Sequence, residues 1–169
     1  MAARRVALLA YFWDPSFRAA EPVMRKTAAR LGLELIDVDQ ASGSAEGPLR
    51  AAADAGATAV FSYVPLMATG QRFTLEALLE LAAERRMATM MSDGDDVLAG
   101  GLVSYGTDPL EIARHGADHL VRVLRGAKPA ELPVDQIARF HLVMNRKTAR
   151  AIGLELPPSL LVRADRVIE

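Results

Sequence analysis

Apolar positions along the first hundred residues alternate between two patterns. Val6, Ala7, Leu8, Leu9, Ala10, Tyr11 and Phe12 are consecutive, as in a strand buried on both faces. Phe17, Ala20, Met24, Ala28 and Leu31 then recur at helical spacing. Asp14-Pro15-Ser16 stops the strand and caps this helix, and Gly32 ends it. The alternation then repeats. Residues 33–38 and 58–63 predict strands, and residues 49–55 a short Ala-rich helix. Phe73, Ala77, Leu78, Leu81 and Ala82 form the inner face of a stronger helix. Residues 88–91 predict a fourth strand, stopped at Ser92-Asp93-Gly94, and a short turn through Asp96-Val97-Leu98 leads to Gly100.

Gly100-Gly101 releases a fifth strand, Leu102-Val103, that ends in Ser104-Tyr105-Gly106, and there the rhythm changes. Pro109 suits the first turn of a long helix whose apolar face is Leu110, Ala113, Ala117, Leu120, Val121 and Leu124. A Pro-rich crossing at residues 128–133 follows, then a strand at 140–145 and a helix at 147–152 closed by Gly153. Pro157-Pro158 predicts the start of a last helix, with Leu160, Leu161, Ala164 and Val167 at helical spacing. The fold class is therefore α/β: a doubly wound parallel sheet in a three-layer sandwich with right-handed crossovers.

Composition narrows the chemistry. The chain has 169 residues, 51% hydrophobic and 24% charged, with a formal net charge of −1, which describes a globular domain. Its basic residues are scattered, so nucleic acid is not an expected partner. There is no cysteine, which excludes disulfides, thiolate nucleophiles and cysteine zinc sites. Trp13-Asp14-Pro15 stands where a signal peptide would need a small-residue cleavage site, and no apolar run is long enough to cross a membrane.

In an open parallel sheet, ligands sit beyond the carboxyl ends of the strands. Those ends supply Trp13 and Asp14; Ser62, Tyr63 and Pro65; Ser92 and Asp93; and Ser104, Tyr105 and Gly106. Together they offer aromatic faces, a carboxylate for an ammonium, and hydroxyl or N–H donors for a carboxylate, a set suited to a small amphiphile such as an amino acid. Taken singly, each also reads as a residue capping the core. His115 and His119 lie at i, i+4 on the helix after the pivot, with Glu111 as the one further ligand on that face; a solvated helix flank is the preferred reading, and no metal or cofactor is expected. The acidic turn after Ser92 lacks EF-hand spacing. No Gly-x-Gly-x-x-Gly, P-loop or Gly-x-Ser-x-Gly appears, and no nucleophile stands beside a base, so no enzyme is expected.

A longer motif series carries a resemblance. Gly100-Gly101-Leu102-Val103-Ser104-Tyr105-Gly106 precedes Leu124-Arg125-Gly126-Ala127-Lys128-Pro129 and Leu132-Pro133-Val134. Phe140-His141-Leu142-Val143-Met144-Asn145 leads to Lys147-Thr148-Ala149 and Gly153-Leu154, then Pro157-Pro158-Ser159-Leu160-Leu161 and Ala164-Asp165. In order and spacing this resembles the C-terminal half of the ABC-transporter substrate-binding proteins of the tryptophan/tyrosine-binding type. The resemblance implies one lobe of a type I periplasmic binding protein, a two-lobed clamp that holds a small solute in its cleft. It implies non-catalytic capture of a solute such as an aromatic amino acid, an ABC importer membrane subunit as partner, and a periplasmic or extracytoplasmic location. The chain as written shows no signal peptide and would be cytoplasmic if complete. Residues 1–108 are then the ligand-binding lobe. Residues 109–169 hold a crossover helix, a late strand and C-terminal helices that pack on this lobe or on a missing first lobe. Two other readings stand beside this one: a flavodoxin-like enzyme or phosphate-binding domain using the same crevice, and an interaction lobe that pairs with itself as a homodimer or with a separate first lobe.

Overall fold

The computed structural model describes residues 4–40, 46–63, 75–135 and 139–169. Strand β1 (Arg5–Ala10) lies inside the sheet, and its side chains alternate between two cores. Ala7 and Leu9 face Leu49, Ala52, Leu78 and Leu81, whereas Leu8 and Ala10 face Phe17. That is why its apolar run is unbroken: a strand covered on both faces has no solvent side to alternate with.

Helix α1 (Pro15–Arg30) starts at Asp14, whose carboxylate accepts from the Ser16 and Phe17 amides at 2.7 and 3.2 Å. It ends where the Leu33 amide donates to the Ala28 carbonyl and Gly32 takes a φ of 68°, a left-handed position that favours glycine. Full burial of Phe17 beneath it is worth about 2 kcal/mol. The chain continues through β2 (Glu34–Asp39), α2 (Glu46–Asp54), β3 (Ala59–Ser62), α3 (Leu75–Glu84) and β4 (Ala88–Met91). Here the expected turn at residues 96–98 is a short helix, α4 (Gly94–Leu98), because the Asp93 carboxylate accepts from the Asp95 amide at 2.9 Å and caps it.

Strand β5 (Val103–Gly106) is followed by α5 (Pro109–Leu124), a single 3-10 turn (Pro129–Glu131), β6 (His141–Asn145), α6 (Arg146–Ala151), α7 (Pro158–Leu161) and β7 (Arg166–Ile168). The seven strands stand in the order β2-β1-β3-β4-β5-β6-β7. The first five are parallel, β6 runs antiparallel to β5, and β7 is parallel to β6. Helices α2, α3 and α4 contribute to the core on one face; α1 and α6 lie on the other, α6 with Leu102, Ala149 and Ile152.

The C-terminus differs from the sequence pattern. The expected last helix stops after Leu161, and Val167 lies in β7 instead. Asp165 sets that outcome: its amide donates to the Leu142 carbonyl at 2.9 Å, and its carboxylate accepts from the Leu142 amide at 2.8 Å. The open edge of β6 thereby captures Arg166–Ile168, a non-local pairing that outweighs local helical spacing.

Candidate functional site

The carboxyl ends of β1, β3, β4 and β5 lie along one edge, and the strand-end residues form two clusters there. In the first, Trp13 is 64% exposed and tilts against Tyr11 with ring centroids 5.8 Å apart. Tyr63 packs edge-on against Phe17 at 5.3 Å, and its hydroxyl donates to the Ser16 carbonyl at 3.5 Å. Asp14 is occupied as the cap of α1 and also accepts from the Ser16 hydroxyl, which holds its carboxyl below the usual range; the Phe17 amide reinforces that shift. Ser62 is fully buried at the end of β3, and Pro65 lies outside the described residues.

The second cluster surrounds a cavity of ≈ 310 Å³ at the ends of β4 and β5. Asp93, Ser104 and Gly106 line it, joined by Thr107, Asp108, His141, Asp165 and Arg166. Its volume is at the lower end of the range for small-ligand pockets. Gly106 makes this corner possible, since a Cβ there would run into the Ser92 carbonyl oxygen. The β5–β6 register sets His141 opposite Gly106. Ser92 Oγ and His141 Nε2 are buried near this corner with no hydrogen-bond partner among the described residues. Four aspartates line the cavity, and three of them accept from a backbone amide: Asp93 from Asp95, Asp108 from Leu110, and Asp165 from Leu142.

Tyr105, 56% exposed, stacks on Phe140 at 5.4 Å with an interplanar angle of 24°. This stacked pair stands at the same strand ends, outside the residues that line the cavity. Thr107, His141 and Asp165 line the cavity although periodicity did not single them out. Only the antiparallel return of β6 brings Phe140 and His141 to this edge. The structure thus gathers Asp93, Ser104, Tyr105 and Gly106 with β6. It sets Trp13, Asp14 and Tyr63 apart, around α1.

A larger cavity of ≈ 560 Å³ lies elsewhere, between α1 and the far end of the sheet, over Leu35, Phe61 and Met90. Its lining is almost wholly apolar. With no set of convergent polar groups to orient a solute, the smaller strand-end cavity is the better candidate despite its size. On α5, His115 and His119 both approach Asp135, while Glu111 pairs instead with Arg139 at 3.8 Å. Among the described residues, no group of three or more His, Asp and Glu side chains is arranged to hold a metal ion.

The family model described as ABC transporter substrate binding protein matches residues 4–168. A conserved domain protein from Vibrio cholerae shares the fold at a TM-score of 0.83 and 18% identity, with 98% of this chain and 55% of that chain covered. An ABC domain from Streptococcus pneumoniae, in complex with L-Trp, aligns at 0.81 and 21% identity over 98% and 57%. The ligand-free, open structure of a substrate binding protein with adhesive properties from Clostridium difficile aligns at 0.63 and 13% identity over 98% and 55%. The chain therefore spans little more than half the length of each of these solved structures. No curated protein sequence matches it significantly.

Proposed function

From a chain that belongs to the ABC transporter substrate-binding protein family, we propose the following function: non-catalytic binding of a small solute for an ABC importer, at the carboxyl edge of the sheet. The observation that carries the site is the strand-end cavity lined by Asp93, Ser104, Gly106, Thr107 and His141, with polar groups converging on it. The proposed solute is an amino acid with an aromatic ring. In the cavity Asp93 suits an ammonium, and Ser104 and the backbone at Gly106 a carboxylate; the stacked Tyr105–Phe140 pair at the same strand ends offers a face for a flat ring. The L-Trp held by the pneumococcal structure supports this choice of class. The separate Trp13–Asp14–Tyr63 cluster around α1 is left outside the proposed contact set.

A thermal-shift screen of the amino acids tests this reading. Stabilisation by aromatic amino acids, reduced in Tyr105→Ala, is the expected result. Equal silence from every solute, with and without a first-lobe partner added, would count against it.

A second observation concerns partners. Helix α5 buries no residue, and Leu110, Leu120, Val121 and Leu124 are exposed along it. Large exposed apolar patches mark interaction surfaces. The proposed cover is a first lobe, which would also supply the second wall of the solute cleft. A homodimer is the alternative that sedimentation would reveal. The importer's membrane subunit and an extracytoplasmic location belong to the same proposal, and no helix among the described residues is long and apolar enough to cross a membrane.

A further inference from the structure

Helix α5 and the strap that follows it meet through two imidazoles on one carboxylate oxygen. His115 Nδ1 stands 3.3 Å and His119 Nε2 3.0 Å from the same Asp135 Oδ2. The i, i+4 spacing puts both imidazoles on one face of α5. The chain turns at Gly126, runs through Pro129–Glu131, and returns along the helix so that Asp135 arrives over its middle. Between helix and strap lies a space of ≈ 480 Å³, bordered by Ile112, Gly116, Val123, Leu132 and Pro133. We propose that His115, His119 and Asp135 form a pH-sensitive latch, which holds the strap against α5 when the imidazoles carry protons and slackens when they lose them.

The physical basis is the difference between two kinds of hydrogen bond. A protonated imidazole gives a carboxylate a charge-assisted bond, roughly twice as strong as a neutral one. A neutral imidazole has a single N–H, so contact survives only in the tautomer that points it at Asp135. Imidazoles change charge between about pH 5 and pH 8. The Asp135 carboxyl is held below the usual range, by the His115 hydrogen bond first and by His119 as well. Other charges nearby are Arg114, Asp118 and Arg122 on α5, the Glu111–Arg139 pair, and the Lys128–Glu131 pair on the turn. Both pairs join opposite charges, which leaves Asp135 as the carboxylate the two imidazoles address. The latch rests on the described residues of α5 and of the strap up to Asp135, and it stands whether or not the solute proposal does.

Hydrogen–deuterium exchange on the full chain tests it, comparing about pH 5.5 with about pH 8 after correction for intrinsic rates, with α3 as internal reference. The wild type should lose about threefold protection across residues 132–135 as the pH rises, a size appropriate to an exposed pair. Asp135→Asn and the double variant His115→Gln/His119→Gln should each show protection that is flat with pH. Unchanged wild-type protection, or a pH dependence that survives in Asp135→Asn, would overturn the latch.

Discussion

Helices α3 and α5 are both amphipathic, yet Leu75, Leu78, Leu81 and Ala82 of α3 are buried whereas α5 buries nothing along sixteen residues. Their places in the topology explain the contrast. Helix α3 joins β3 to β4, which are adjacent and parallel, and a parallel connection must cross over the sheet face. Helix α5 joins β5 to β6, which are adjacent and antiparallel, and such a pair needs no crossover at all. The described residues from 107 to 135 are therefore free to leave the sheet. An apolar stripe says that a helix has a buried side, but the connection it serves decides whether that side is buried here or against something else.

Truncation separates the two helices most sharply. Leu78→Ala should cost about 2–5 kcal/mol in urea unfolding, since Leu78 is fully buried. Leu120→Ala should stay within about 0.5 kcal/mol, because Leu120 is 59% exposed. Equal losses at the two positions would show that α5 packs on this chain after all.

Gly106→Ala tests the corner where the arm departs. The added methyl meets the Ser92 carbonyl, and the expected destabilisation is about 1–3 kcal/mol. The same corner should also lose whatever solute binding it has. Asn145→Ala removes the α6 cap on the Thr148 amide and a bond to the Val97 carbonyl. It should cost about 1–2 kcal/mol, again on the sheet side of the comparison.

The smallest expected effect is a pH dependence at Asp14. Its folded pKa is depressed, so its contribution is fully present above the unfolded value of about 3.9 and is lost as the pH falls through the lower folded value. Acid unfolding of Asp14→Asn should accordingly be less steep than that of the wild type below about pH 4. Identical acid limbs would remove the cap from the account.

How much of this was legible in the sequence follows the same division. Strands β1 to β5 and helices α1 to α3 were readable because an unbroken apolar run, a cap and a closing glycine are local signals, as at Val6 to Phe12, Asp14 and Gly32. The C-terminus was not. Leu160, Leu161, Ala164 and Val167 fit a helix, and only the pairing of Asp165 with Leu142, far away in sequence, turns the chain into β7. The site shows the same limit. Asp93, Ser104 and Gly106 were legible as strand ends because those can be read from periodicity, but His141 joins them at the cavity through an antiparallel register that no local pattern encodes. Likewise, the His115–His119 spacing was visible, but the Asp135 carboxylate that both approach was not, because it comes from the strap outside the helix.

The most direct test of the central claim is an NMR titration of the full chain with L-tryptophan, following backbone amides at both cavities. The account predicts shifts concentrated at Ser92, Gly106 and His141, with the amides of α3 unmoved. Shifts confined to Phe61 and Met90 in the apolar trough, or none anywhere up to about 10 mM, would contradict it.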